Sequence, residues 1–218
     1  DGDPRLRPRM IQPAGFRGAF FGSADDGNGR DDARSRERIS AALGISTAWA
    51  SVRQIHGDVV IGVKRPGPAG DGDGLITEQP DLPLVIATAD CLPIIVEGDT
   101  SVAVLHAGWR GVAGGIIPAG FAALARLGDT PRRAAIGPSI GPCCYEVGDE
   151  VATAIGGFRS TTTRGTSSVD LWAAAEAQLG TVPVWRSDRC TGTDHRYWSY
   201  RRDATKNRQV AVAWVPRS

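Results

Sequence analysis

Histidine is scarce in this chain. There are three in 218 residues, His56, His106 and His195, beside four cysteines and one methionine. Three imidazoles are too few for a metal cluster built on many histidines, so the place of each one becomes informative. Long apolar runs are also missing. The longest, Leu82 to Ala87, falls far short of the ~20 residues of a membrane-spanning helix. No sign of charge dominates, with 25 Lys+Arg against 24 Asp+Glu and a net charge of +1. That balance argues against nucleic acid or an anionic membrane as a partner, because backbone phosphates call for a Lys/Arg surplus. The stretch Asp1 to Arg5 shows no apolar signal core. Cys91, Cys143, Cys144 and Cys190 are too few for a disulfide framework, and the neighbours Cys143 and Cys144 cannot easily bridge each other. A reducing cytoplasm is therefore expected, where a cysteine with a task serves as ligand or nucleophile.

What the chain has in plenty is Gly (28) and Pro (14), which speaks against an all-helical bundle. No repeat or linker divides it. A single domain over 1–218 is predicted, with residues 1–10 expected to be disordered. Residues 24–36 read as a polar loop entering a helix that runs through Ile39, Ala42 and Leu43 and is capped by Gly44. Strand-like patches lie between Val52 and Val63, residues 66–74 read as turn chemistry throughout, and 156–168 as a mobile loop. Leu84–Thr88 and Ser101–Leu105 are continuously apolar, as strands covered on both faces are. Ala134–Ile136, Val182–Arg186 and Gln209–Val215 are further strands, the last read as alternating. Ile116–Leu127, Asp149–Ile155 and Leu171–Leu179 are predicted helices, with Asp170 as N-cap of the last. The fold class is α+β.

Three candidate ligands share one placement, at or near the end of an apolar strand. They are His56 in Gln54-Ile55-His56-Gly57, Cys91 in Ala89-Asp90-Cys91, and His106 in Leu105-His106-Ala107-Gly108. Strand ends on one rim of a rigid sheet are where sites are built. Two imidazoles and a thiolate suit Zn²⁺ with a fourth position open, and the same set suits copper. A single histidine at a strand end is more often a satisfied core or loop residue, and Cys91 as a nucleophile with a histidine base is the chemical rival. Arg110, beside His106, is a candidate anion ligand or a surface arginine packed on Trp109. Tyr197 to Asp203, with Arg201 and Arg202, mixes aromatics and guanidinium groups that could stack a base and hold phosphate, or simply pack. Asp71 to Gly74 lacks the spacing of a calcium loop. Cys143-Cys144 is too close for a shared tetrahedral site without more ligands nearby, and His195, between Asp194 and Arg196, reads as exposed.

Taken in order, these segments resemble the YfiH family, also called the laccase-domain or polyphenol-oxidase-like family. The resemblance rests on Gln54-Ile55-His56-Gly57, Asp73-Gly74-Leu75-Ile76-Thr77, Thr88 to Ile94, and His106 to Gly111. It continues through Ile136 to Gly141, Cys144-Tyr145-Glu146-Val147-Gly148, Val169-Asp170-Leu171 and Ser199 to Asp203. Two segments depart. A Gly/Asp loop stands before Asp31-Asp32 where the family has an Asn-Leu step, and Lys206-Asn207-Arg208 replaces Thr-Gly-Arg. Asn tolerates positive φ, so that second turn is expected to survive.

The resemblance implies a layered sandwich of mixed β-sheets with helices outside, and a catalytic metal, zinc or copper, on His56, Cys91 and His106. It implies phosphorolysis of adenosine, inosine and methylthioadenosine, and hydrolytic deamination of adenosine. Older assignments as copper-dependent polyphenol oxidases, and a link to editing of peptidoglycan precursors in the cytoplasm, are its alternatives, beside a Cys91-dependent hydrolase. Arg110, Arg201 and Arg202 are the expected phosphate or substrate ligands, and Asp90, Asp73 and Glu146 the expected acid–base candidates.

Overall fold

Residues 10–217 are described by a computed structural model, and their apolar runs sort residue by residue into separate cores. The elements are β1 (Ala19–Phe21), α1 (Ala33–Leu43), β2 (Ala50–Arg53), β3 (Val60–Gly62), β4 (Gly67–Asp71), β5 (Gly74–Thr77), β6 (Leu84–Thr88), β7 (Leu92–Glu97), β8 (Val102–Ala107), α2 (Trp109–Gly114), α3 (Ile116–Arg126), β9 (Arg133–Ile136), α4 (Asp149–Ala154), β10 (Arg159–Thr161), β11 (Ser167–Val169), α5 (Leu171–Leu179), β12 (Val184–Arg186), α6 (Tyr200–Asp203) and β13 (Gln209–Ala213). The expected disorder of residues 1–10 lies, Met10 apart, outside the described residues.

Two mixed sheets face each other. One has five strands in the order β1-β13-β6-β2-β4, the other six in the order β12-β9-β7-β8-β5-β3. Side chains alternate across a strand, and here both faces are covered. On β6, Leu84 and Ile86 enter the core between the sheets, while Val85 and Ala87 enter the core beneath α1 with Ile39, Trp49 and Trp214. On β8, Val102 and Val104 face the inter-sheet core, and Ala103 and Leu105 face the core under α3 and α5 with Ile116, Ile117 and Leu124. The result is four layers: α1, five strands, six strands, then α2 to α5. A run apolar at every position is what this stacking demands. Truncating fully buried Ile95 to Ala would cost about 2–5 kcal/mol by lost transfer and cavity. The helix ends match their chemistry. Asp32 accepts from the backbone N–H of Arg34 and Ser35, Gly44 closes α1 at φ 66°, and Asp170 accepts from Ala173 N–H at 2.9 Å.

Three expectations change. Residues 66–74 are not turn throughout: Gly67–Asp71 form β4, an edge strand, where Pro68 costs no shared ladder bond. Residues 156–168 hold the β10–β11 hairpin rather than an unstructured loop. β13 does not alternate, because all five of its residues are buried between α1 and the inter-sheet core. β7 is the strand the sequence hid, because Pro93 interrupts it. Pro93 stands one residue before the β7–β9 register begins at Ile94–Ile136, and its carbonyl still accepts from Gly137 N–H at 2.9 Å.

Candidate metal centre

Strand register brings the three ligands together. β7 and β8 run antiparallel with Leu92 opposite Ala107, which sets Cys91 beside His106. β5 and β8 pair Gly74 with Leu105, which sets Asp73 against His106 from the other side, and His106 N–H donates to the Asp73 carbonyl at 2.6 Å. β2 runs parallel to β6, so the segments that follow them, with His56 and Cys91, leave on one rim. The ligand atoms of His56, Cys91 and His106 all lie within 4.8 Å of one another. The two imidazoles meet edge to face at 4.9 Å between centroids, 78° apart. Gly108 leaves room for them. A Cβ there would stand 3.1 Å from Cys91 Sγ and 3.3 Å from His56 Cδ2.

Asp73 organises this cluster from below. It is fully buried, and its carboxylate accepts from the backbone N–H of Ile55, His56 and Gly57 at 3.1, 2.9 and 2.7 Å. It also lies 2.7 Å from His106 Nδ1. Those bonds hold His56 in the left-handed region at φ 63°, a backbone state a non-glycine residue adopts only when its surroundings impose it. With Nδ1 engaged, His106 offers Nε2 to the cluster, the carboxylate–histidine arrangement behind metal ligands. Burial alone would raise Cys91, yet the charges and hydrogen bonds of His106 and His56 bring its thiol down to about 6. Burial lowers His106, and Cys91 and Asp73 more than reverse that, to about 9. The site thus forms a thiolate near neutral pH, the state in which cysteine ligates. Two nitrogens, one soft sulfur and a charged second layer fit a zinc or copper ion.

The cluster lines a cavity of about 330 Å³. Among the described residues Arg30, Arg110, Arg201 and Arg208 line it, together with Tyr145, Tyr200 and a single carboxylate, Asp90. Arg110 packs on Trp109 with 4.4 Å from guanidinium to ring and still faces the cavity, so the packing and anion-ligand readings are compatible. Arg201 lies 5.2 Å over Tyr145. Asp90, at φ 93°, accepts from Thr191 Oγ1 and from Arg201 N–H, both at 2.6 Å.

Other expected residues stand elsewhere. Arg202 does not line the cavity. Its guanidinium donates to the carbonyls of Thr191 and Tyr197 at 2.5 and 2.9 Å and pairs with Asp203 at 2.7 Å, which ties the chain together instead of meeting substrate. Glu146 lies outside the cavity and accepts from Thr166 Oγ1 and Arg164. Asp73 is fully buried and does not line the cavity, and each of its oxygens meets two protein nitrogens. His195 is exposed, as expected. Positive φ near the C-terminus falls on Ala204, not Asn207. Arg30 and Arg208 were not singled out from the sequence. Arg208 closes the divergent Lys206-Asn207-Arg208 segment and Arg30 lies in the divergent Gly/Asp loop, and the two loops touch through Asn28 and Asn207. Positive charge converging from two irregular segments leaves no spacing pattern to read.

Fold and site together define a laccase-domain protein with a candidate three-ligand metal cluster at a sheet rim. Residues 20–216 match the family described as multi-copper polyphenol oxidoreductase laccase, and the chain belongs to that family. It is 37% identical over 204 residues to the purine nucleoside phosphorylase of Deinococcus radiodurans, covering 86% of this chain and 79% of that protein. To the Escherichia coli purine nucleoside phosphorylase YfiH it is 31% identical over 199 residues, 83% of this chain and 79% of the other. The crystal structure of YlmD from Geobacillus stearothermophilus superposes with a TM-score of 0.78 at 28% identity, covering 99% of this chain and 95% of that one. A Neisseria meningitidis protein of the same fold gives 0.82 at 25% identity, covering 97% and 100%.

Proposed function

We propose that this chain is a metal-dependent purine nucleoside phosphorylase, acting on adenosine, inosine or methylthioadenosine with inorganic phosphate, and that the same site deaminates adenosine by hydrolysis. The observation that carries this reading is the two-imidazole, one-thiolate cluster within an arginine-lined cavity. The names of the relatives support it. His56, Cys91 and His106 would hold the cation, zinc by preference. When bound, it supplies Lewis acidity.

The protein's own groups do the rest. Arg110 and Arg201 hold the phosphate through charge-assisted bonds, with Arg30 and Arg208 at the rim. Tyr145 and Tyr200 offer aromatic faces to the purine. In phosphorolysis a phosphate oxygen bonds to C1′ and the C1′–N9 electron pair leaves with the base. The proton that phosphate gives up must reach the purine. Asp90, the sole carboxylate among the described residues that line the cavity, carries it. In deamination water adds at C6 and ammonia leaves, and Asp90 moves the proton from water to the departing nitrogen. Asp73 positions His56 and His106 and touches no substrate.

The oxidase reading finds no support in the donor set. A multicopper centre needs many imidazoles, and the chain's third histidine is exposed and away from the cavity. Four free thiols support a reducing, cytoplasmic setting, and no described helix is long and apolar enough to cross a membrane. The test is release of hypoxanthine from inosine, with and without phosphate. Release should require phosphate and fall to background in His106→Ala, with loss of the bound metal measured in parallel. Undiminished turnover in metal-free His106→Ala would overturn the mechanism.

A further inference from the structure

A second group of metal-ligating side chains lies outside the cavity. Cys143 and Cys144 stand in the turn between β9 and α4, and Cys190 in the segment between β12 and α6. Their sulfurs lie within 4.8 Å of one another, Cys143 Sγ at 3.6 Å from Cys144 Sγ and 3.5 Å from Cys190 Sγ. With zinc–sulfur bonds of about 2.3 Å, two thiolates of a tetrahedral site sit about 3.8 Å apart, within a few tenths of these distances. A disulfide would need about 2.05 Å. Cys190 supplies the further ligand that the adjacent pair lacks by itself. Gly141 N–H donates to Cys190 Sγ at 3.2 Å, the kind of backbone bond that steadies a thiolate. Gly192 keeps the backbone tight against the group, since a Cβ there would lie 2.7 Å from Cys144 Cβ and 2.9 Å from its sulfur.

We infer that Cys143, Cys144 and Cys190 form a second metal site, a three-thiolate clip for a thiophilic cation of the Zn²⁺ class. Its place gives it a task. Cys190 bridges Ser139, Thr191 N–H donates to the Ser139 carbonyl, and Thr191 Oγ1 donates to Asp90. One of the joined segments continues into Tyr145 and the other into Arg201, both on the cavity wall. A cation here would fasten that wall from behind and touch no substrate. Three protein sulfurs leave a fourth position for water or an exogenous thiol.

Zn²⁺ itself is the probe. The full chain, reduced, equilibrated with Zn²⁺ and freed of excess, should carry about two ions per chain, one at each cluster. The Cys143→Ser/Cys190→Ser variant should carry one, and His106→Ala should keep this second ion while losing the first. The outcome is therefore independent of whether nucleosides are the substrates. A single wild-type ion that the Cys143→Ser/Cys190→Ser variant retains, or two ions in the double variant, overturns the inference. Should the double variant fail to fold, alkylation of the wild-type chain decides. Zn²⁺ should shield Cys143, Cys144 and Cys190 from iodoacetamide at least tenfold. Equal labelling with and without Zn²⁺, or a Cys143–Cys190 disulfide in the chain after Zn²⁺ treatment, overturns it too.

Discussion

His56, Cys91 and His106 gather at the rim of two sheets, facing a cavity; Cys143, Cys144 and Cys190 gather between two loops, outside it. The first set mixes nitrogen and sulfur and has Asp73 behind it, 2.7 Å from His106 Nδ1. His106 and His56 outweigh the burial that would raise Cys91 and bring it to about 6. The second set has no imidazole. Burial comes first and its neighbouring thiols add to it, and Cys143 is pushed up to about 12. The contrast teaches how environment divides one element between two kinds of work. Sulfur paired with imidazole is ionised and open to a ligand. Within the sulfur cluster burial holds Cys143 and Cys144 above their ordinary range, whereas at Cys190 the Gly141 N–H and the Cys143 thiol outweigh burial and lower it.

The largest expected effect tests that contrast directly. In reduced protein stripped of metal at pH 7, Cys91, brought down to about 6, is largely thiolate, while Cys143, raised by burial and its neighbouring thiols, is largely protonated. The weaker nucleophilicity of a low-pKa thiolate returns part of that advantage, leaving Cys91 faster in alkylation by at least about tenfold. Peptide mapping after brief iodoacetamide treatment measures it. The Cys91 rate should fall as pH drops through about 6, while Cys143 should label slowly until strongly alkaline pH. Equal rates at pH 7 would erase the distinction between the clusters.

Asp73→Asn comes next. The change leaves one acceptor oxygen for the three backbone donors and His106, so His56 loses the bonds that hold its left-handed backbone. Metal affinity at the first cluster should fall about ten- to a hundredfold, while metal at the cysteine cluster is unchanged. Equal weakening of both would mean that Asp73 supports the fold at large.

How much of this was legible in the sequence follows from where each signal lives. The α+β class, the buried strands β6 and β8 and the caps Gly44 and Asp170 came from local chemistry, because burial on both faces and helix ends leave marks within a few residues. His56, Cys91 and His106 were legible as strand-end residues, though their convergence needed the register Leu92–Ala107 and Gly74–Leu105. Asp73 read as an acid–base candidate because a carboxylate's type is visible and its partners are not. Three backbone donors sixteen to eighteen residues away make it a support. Arg202 and Glu146 read as site candidates for the same reason, and the structure places both outside the cavity. Cys190 lies 47 residues from Cys143, so no spacing rule joins them.

Among the arginines a smaller effect separates cavity from scaffold. Arg110→Ala should raise KM for phosphate about tenfold, the loss of one charged hydrogen bond, with little change in KM for the nucleoside. Arg202→Ala should leave KM for phosphate within about twofold and lower Tm instead, because its guanidinium holds the Thr191 and Tyr197 carbonyls. Steady-state kinetics with phosphate varied distinguish them, and a matching rise in KM for Arg202→Ala would return it to the site.

The smallest effect on function is expected at Asp129, which builds a loop the way Asp73 does but far from any ligand. It accepts from the backbone N–H of Asp99, Thr100, Ser101 and Thr130 and from the Ser101 hydroxyl at 2.7 Å. Burial works to raise its pKa, and the backbone donors of Thr100 and Asp99 with the Ser101 hydroxyl outweigh it, so the carboxyl titrates below its ordinary 3.8. A lowered folded-state pKa means that the stabilisation is complete above the ordinary carboxylate range and drains away as pH falls through it. Asp129→Asn should therefore cost about 2 kcal/mol at pH 7, some 4–8 °C in Tm, with turnover and metal content intact. The deficit against wild type should shrink as pH is taken below about 4. Thermal melts of the two proteins across pH 3–7 would show it. A deficit constant with pH would mean that the charge is idle and the bonds alone hold the loop. A loss of turnover as deep as that of Asp73→Asn would mean that the two aspartates differ in address only, and that His106 gains nothing special from the carboxylate behind it.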